Sequence, residues 1–199
     1  GLSELGVSLQ GAEIYIDGLK YAKVRLPNVD FIQLDATDMP FNNEYSSICM
    51  FDVLEHIDED ELAMTNVFNA LKDDGYFFVT VPQYKFMWSY LDDVACHKRR
   101  YTRKELKNKL RKSGFKIEYC GSFIFTLFPL LYLSRQFKKN IKVNEITDND
   151  IMKEFKISKV TNSIFYFLTM IDLFLIKLRI ILPFGGSIVA VAKKIDHEP

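Results

Sequence analysis

Short β-branched or aromatic runs alternate with helical stretches along most of this chain, and that alternation leaves few folds open. Gly11–Ile16, Val29–Leu34, Ser47–Phe51, Tyr76–Val81, Phe115–Tyr119 and Ser187–Ala192 read as strands. Helical character fills Gly18–Arg25, the residues from Asp58 to about Lys72, and those from Thr102 through Leu106 and Leu110. Leu2–Leu5 reads as the end of a further helix. Asp58 with Glu61 suggests a capping box and Thr102 a second cap, while Asp73-Asp74-Gly75 and Ser113-Gly114 read as helix stops. The alternation predicts βαβ units and an α/β, doubly wound, mainly parallel sheet. At 199 residues the chain has room for one such domain and an insertion, not for two full domains.

Residues 123–183 break the rhythm. Two very apolar segments, Phe123–Arg135 and Val160–Leu182, flank a polar linker rich in Lys, Asn and Asp. Along the second segment Asn162, Thr169, Asp172 and Arg179 form a narrow polar stripe on an otherwise apolar helix. Such a helix is either largely buried, in an extended core or a homodimer interface, or lies in a membrane interface. The longest uncharged run, Tyr119–Ser134, has 16 residues and contains Pro129, short of the roughly 20 needed to span a bilayer. The chain therefore divides into a core over 1–122, an apolar helical cap over 123–183, and a last strand and tail over 184–199.

The formal net charge is zero, but residues 1–95 hold 5 Lys/Arg against 17 Asp/Glu and residues 96–199 hold 21 against 9. That asymmetry predicts something anionic held near the second half. The run from Lys98 to Lys116, ten Lys/Arg and one Glu, admits three readings. It is a nucleic-acid surface, a contact with an anionic membrane, or a solvated helix face with Leu106 and Leu110 turned to the core. The solvated face is the plainest, so nucleic acid is not the expected partner. Three widely spaced cysteines show neither a disulfide framework nor a zinc pattern, and no metal is expected. With no signal peptide, the expected location is the cytoplasm, with peripheral contact at the inner membrane face.

In doubly wound sheets ligands sit at the carboxyl ends of the strands. Glu13 follows the first strand there, where a carboxylate can accept both hydroxyls of a ribose. Asp35 follows the second, where a carboxylate can accept from an exocyclic amine while the neighbouring backbone meets a ring nitrogen. Together they describe a nucleoside site, although either residue could simply cap the next helix.

Gly11-Ala-Glu-Ile, Phe31-Ile-Gln-Leu-Asp-Ala-Thr-Asp-Met-Pro-Phe41, Phe51-Asp-Val-Leu-Glu-His56 and Leu71 to Pro82 follow one another in an order that resembles class I S-adenosylmethionine-dependent methyltransferases of the small-molecule type. The resemblance covers about residues 1–122. It implies a Rossmann-like sheet with an antiparallel last strand, and S-adenosylmethionine as cofactor. Glu13 would hold the ribose, Asp35 and the backbone of Ala36 the adenine, and Met50, Phe51 and Asp52 the methionine end, with Glu55 and His56 at the mouth toward the substrate. His97-Lys-Arg-Arg-Tyr-Thr102 is similar to a string these enzymes often carry on the substrate side. His97 would be a general base, with Tyr101 and His56 as further catalytic candidates, and Arg99 or Arg100 would grip an anionic group. The alternative is that Arg99, Arg100 and Tyr101 pin the loop to Asp92, Asp93 or Glu55, and that His56 is structural.

One departure from the family pattern stands out. No acidic residue followed by G-x-G-x-G occurs after the first strand. That loop lets the backbone approach the cofactor's amino-acid end. The expectation is an upstream strand, loop and leader of roughly 30–50 residues, without which the cofactor would bind poorly. The leading function is methyl transfer to a small or lipid-linked acceptor selected by the cap. The alternatives are a non-catalytic, membrane- or partner-binding relative and an RNA methyltransferase. The last is disfavoured because Asp52-Val-Leu-Glu replaces the Asn/Asp-Pro-Pro-Tyr/Phe string of enzymes that modify a base's amino group.

Overall fold

A computed structural model describes residues 6–138 and 156–195. Most of the polar linker between the two apolar segments (139–155) and the expected helix end at Leu2–Leu5 lie outside the described residues.

The elements are β1 (Gln10–Glu13), α1 (Ile16–Arg25), β2 (Asp30–Gln33), β3 (Tyr45–Phe51), α2 (Asp60–Ala70), β4 (Leu71–Pro82), α3 (Tyr90–Val94), α4 (Arg103–Lys112), β5 (Phe115–Phe123), α5 (Phe128–Lys138), α6 (Lys159–Lys177) and β6 (Ser187–Lys194). They form an α/β fold whose strands fall into two sheets. One is the parallel pair β1–β2, and the other has the order β3–β4–β6–β5. β3 and β4 run parallel, while β6 runs antiparallel to both β4 and β5, as the resemblance implied for the last strand. β1 and β3 are not hydrogen-bonded to each other, so among the described residues each has an open edge. A side-chain bond, Tyr45 Oη to Gln10 Oε1 at 2.5 Å, joins the first residues of β3 and β1 and brings the starts of the two strands together.

The core lies on the larger sheet. Phe77, Val79 and Val81 of β4 and Ile188, Ala190 and Ala192 of β6 alternate inward at zero exposure, the period of two that a half-buried strand requires. Ala63, Met64 and Val67 of α2 and Leu106 and Leu110 of α4 cover them. Each buried Leu or Phe contributes about 1.5–3 kcal/mol.

The α4 signals hold in detail. Thr102 Oγ1 accepts from Glu105 N, and the Glu105 carboxylate accepts from Thr102 N at 2.9 Å, closing a capping box. Gly114 ends the helix at φ +97°, and a Cβ there would press on the Phe68 ring at 2.9 Å.

Other boundaries differ. α2 starts at Asp60 with Glu59 at its N-cap and no side-chain cap, because Asp58 pairs with Lys98 and Glu61 with Lys112. It ends at Ala70 rather than near Lys72, since Leu71 already pairs with Tyr45 in the sheet. The Asp73-Asp74-Gly75 stop is instead an irregularity in β4, with Asp74 at φ +60°. The segment beginning at Phe123 is strand to that residue and becomes helix only at Phe128.

The charge asymmetry has an internal account. Asp58, Asp60, Glu61, Asp73 and Asp74 of the first half pair with Lys98, Arg99, Lys109, Lys112, Lys194 and Lys193 of the second. The expectation of an external anion loses its main support.

Candidate functional site

Leu34 N donates to Glu13 O at 3.1 Å, which sets the carboxyl ends of β1 and β2 side by side. Glu13 Oε1 accepts from Tyr15 N at 3.0 Å, and the side chain folds across Gly18. A Cβ on Gly18 would stand 2.8 Å from Glu13 Cγ, so glycine keeps that space for the carboxylate. Asp35 is exposed, and its Oδ1 accepts from Thr37 N and Thr37 Oγ1 at 2.8 and 2.7 Å. The bond from the Thr37 backbone, then that from its hydroxyl, holds the Asp35 carboxyl below its ordinary range, so it is ionised near neutral pH. Ala36 packs against the core, and its carbonyl accepts from Asn66 Nδ2 at 3.0 Å.

At the end of β3, Met50 is buried, while Phe51 is half exposed. Asp52 follows at φ +52°, a left-handed conformation that costs a non-glycine residue energy and often accompanies function. It is held there by bonds from its N–H to the carbonyl and hydroxyl of Thr80 on β4. The strain turns the chain sharply into a single 3-10 turn, Leu54–His56, over which β3 hands on to Glu55 and His56.

Glu55, His56 and His97, named separately in the sequence, come together here. Their ligand-type atoms all lie within 4.8 Å of one another. The two imidazoles meet edge to face at 4.7 Å between centroids, and Glu55 Oε1 is 3.9 Å from His97 Nε2. Glu55 is fully buried, and among the described residues no other residue donates a hydrogen bond to its carboxylate. Burial, opposed by its own backbone N–H and by Arg100 and reinforced by the Asp52 and Asp92 charges, pushes its carboxyl up to about 8. Desolvation and then the adjoining His97 lower the His56 value.

His97 is held from behind by Asp92, whose Oδ1 lies 2.9 Å from Nδ1. Asp92 is a junction that the sequence offered only as a partner for an arginine. It also accepts from Arg100 Nε at 2.7 Å, from Ser89 N at 2.9 Å, and from Arg135 of α5 at 3.2 Å. Burial works against its charge, but the Arg100 bond and charge, then Ser89 and His97, outweigh it and keep the carboxyl low.

Arg99, Arg100 and Tyr101 point elsewhere than the cleft. Arg100 is buried and also donates to Gln83 O at 3.0 Å. Arg99 bonds Asp60 and the Asp58 carbonyl at 2.9 and 2.8 Å. Tyr101 is buried with its hydroxyl donating to Asp60 at 2.7 Å, and burial followed by that bond raises its pKa far above the range of a proton shuttle. These partners are the pinning arrangement, with Asp60 added to the acids the sequence suggested.

The cap begins beside this cluster. Tyr84, at φ +63° just past β4, stacks on Phe86 and meets Phe128 of α5 at 6.0 Å, while Phe86 meets Tyr132 at 6.1 Å. Asp172 of α6 is fully buried and accepts from Phe125 N at 2.6 Å and Thr126 N at 3.2 Å, anchoring α6 to the turn before α5. Among the described residues, Asp172 is the one fully buried residue of α6. Ile164, Phe167, Met170, Leu173 and Phe174 are exposed, and the helix is long and apolar enough by length and composition to cross a membrane, with 6% of that window buried. Asp172 interrupts the uncharged run here, so charge-free length alone does not disclose it. An open apolar hollow on α6, lined by Val160, Ile164, Phe167 and Leu168, lies on the cap rather than at the strand ends.

A family model described as a methyltransferase domain matches residues 2–119. No curated protein matches the chain. Among solved structures, a candidate methyltransferase from Haloferax volcanii in complex with the Trm112 methyltransferase activator is similar over 100% of this chain and 77% of its own, at 13% identity and a TM-score of 0.62. Phosphoethanolamine N-methyltransferase 2 of Haemonchus contortus, in complex with S-adenosyl-L-methionine, is similar over 98% of this chain and 45% of its own, at 18% identity and a TM-score of 0.59. A SAM-dependent methyltransferase from Archaeoglobus fulgidus is similar over 96% and 78%, at 18% identity and a TM-score of 0.55.

Proposed function

The chain belongs to the S-adenosylmethionine-dependent methyltransferase family, and from that premise we propose that its acceptor is apolar or lipid-linked and is met at a membrane surface by the cap, residues 123–183. The cofactor supplies an electrophilic methyl group, and the chain's own residues bind and orient. The adenosine end fits what is present. Glu13 offers a carboxylate for the ribose over the space Gly18 leaves, and Asp35, ionised and exposed, suits the adenine amine beside Ala36. Met50, Phe51 and Asp52 would line the methionine end.

The observation that carries the acceptor reading is α6, an apolar helix of 19 residues docked through one buried aspartate while its outer face stays exposed. Lys159 and Lys177 at its ends are suited to phosphate headgroups. The aromatic wall of Tyr84, Phe86, Phe128 and Tyr132 adds an apolar path from α5 toward the ends of β3 and β4. Methyl transfer needs the acceptor placed in line with the methyl group and, for an O–H or N–H acceptor, a base. His97, oriented by Asp92, is the candidate base wherever its Nε2 carries no other ligand.

The test is cosedimentation of the full chain with phosphatidylcholine–phosphatidylglycerol vesicles, paired with labelled methyl transfer from S-adenosylmethionine into a lipid extract. Phe167→Asp with Phe174→Asp should cut vesicle binding roughly 10-fold or more, since each exposed Phe contributes on the order of 1.5–3 kcal/mol when buried. A chain that ignores vesicles and labels only water-soluble acceptors overturns the reading. Binding of an activator protein to this face, instead of vesicles, would replace the membrane as occupant; the similar Haloferax protein is in complex with such an activator.

A further inference from the structure

We propose that Glu55, His56 and His97 form a divalent metal site of the two-histidine, one-carboxylate kind at the carboxyl end of β3. The three residues come from two separate places, the 3-10 turn after β3 and the loop after α3, and converge with one ligand atom each inside 4.8 Å. The independent observation is Glu55. Its side chain is fully buried, and among the described residues no other residue donates a hydrogen bond to either oxygen, although buried acceptors are nearly always satisfied. A carboxylate so placed, facing two imidazoles, has in a cation the partner that the protein does not supply.

The spacing is close to what a metal needs. Bonds of about 2.0–2.1 Å in a tetrahedral site set ligands about 3.3 Å apart. Glu55 Oε1 and His97 Nε2 stand at 3.9 Å, so they need to close by well under an ångström. His56 is exposed, and rotation of its ring brings in the third ligand.

Behind the triad, Asp92 accepts from His97 Nδ1, which leaves Nε2 as the nitrogen with the free lone pair. Carboxylate–histidine–metal arrangements of this sort fix the ring and raise its basicity. Asp92 is itself fixed by Arg100 and the Ser89 N–H. An oxygen and two nitrogens without a thiolate suit Zn²⁺, Co²⁺, Ni²⁺ or Fe²⁺ rather than a soft ion. Coordination positions left open on the His56 side would take water or an acceptor oxygen. The site stands on its ligands alone and does not need the membrane reading.

The competing account is a neutral Glu55 carboxyl packed against His97 with no ion. Titration of the metal-free full chain with Co²⁺, read by its visible absorption and by displacement with Zn²⁺, separates the two. The expected result is one bound ion per chain. His56→Ala and Glu55→Gln should each weaken binding by roughly 100-fold or more, beyond the 10–100-fold typical of losing an outer partner. Thermal melts of the metal-free variants establish that they fold. His56→Ala removes an exposed ring, so it decides the matter by itself should Glu55→Gln fail to fold. A wild-type chain that binds no cobalt at millimolar concentration, or one whose binding both substitutions leave unchanged, overturns the proposal.

Discussion

The two sheets are built to different standards. In β3–β4–β6–β5 with α2 and α4, Leu54, Met64, Leu71, Phe77, Leu106 and Ile188 have no exposed surface at all. In β1–α1–β2, the helix has no buried residue, Tyr21 and Val24 are 75% and 82% exposed, and only Val29 falls in the buried class. What holds this unit is local and polar: the Leu34–Glu13 backbone bond, Lys23 on the Val29 carbonyl, and Gln33 on the Ile14 carbonyl. The half that carries Glu55, His56 and His97 is thus ordered by its own core. The half that would hold adenosine has no such core among the described residues.

That contrast can be broken most directly at Asp92. Asp92→Ala leaves the buried Arg100 charge without its partner, and the expected loss is about 3–5 kcal/mol in denaturant unfolding. A loss below 1 kcal/mol would mean that the larger half is not held as described. Next in size, S-adenosylhomocysteine at about 100 times its Kd should add about 2.7 kcal/mol. Hydrogen exchange should place the new protection over residues 10–35, and protection spread evenly over both sheets would erase the distinction.

Asp172→Ala should cost about 1–3 kcal/mol, by stranding the Phe125 and Thr126 N–H groups, and loosen the cap while leaving exchange in β4 and β6 unchanged. Acid should reveal the larger half's carboxylates. Burial opposes ionisation of Asp60, but its bonds from Lys109 and Tyr101 and the charges of Lys109 and Arg99 prevail and keep its folded pKa low. Its contribution is therefore full above the unfolded value of about 3.9 and is lost as pH falls through the lower folded one. Asp60→Asn should flatten the stability curve below pH 4 and leave its slope near pH 7 alone. Smallest of all, Val24→Ser on α1 should stay within about 0.5 kcal/mol of wild type.

The same contrast explains what was legible in the sequence. β3, β4, β6 and α4 announce themselves because alternating apolar residues, a Thr102 cap and Gly114 serve one buried face. The sequence makes β1 too long and starts α1 two residues late, because no buried face sets their limits. At the site, Glu55, His56 and His97 were each noticed, but nothing in their spacing tells that about forty residues fold back to join them. Arg99, Arg100 and Tyr101 looked available because a string of cations and an aromatic cannot disclose which buried acids it will meet. Asp60 and Asp92 sit among other acids in the sequence, and only burial separates them from Asp93 or Glu59. Asp172 was seen as one point on a polar stripe, whereas its meaning lies in two backbone N–H groups more than forty residues away.

Arg135 shares the Asp92 carboxylate with Arg100 and His97. For anyone grafting the cap of one relative onto the body of another, that makes position 135 part of the socket as well as the plug. A donor cap without a cation there would remove one of the two positive charges facing Asp92. Such a chimera would change the segment and the set of the His97 imidazole together, so the two could not be exchanged independently.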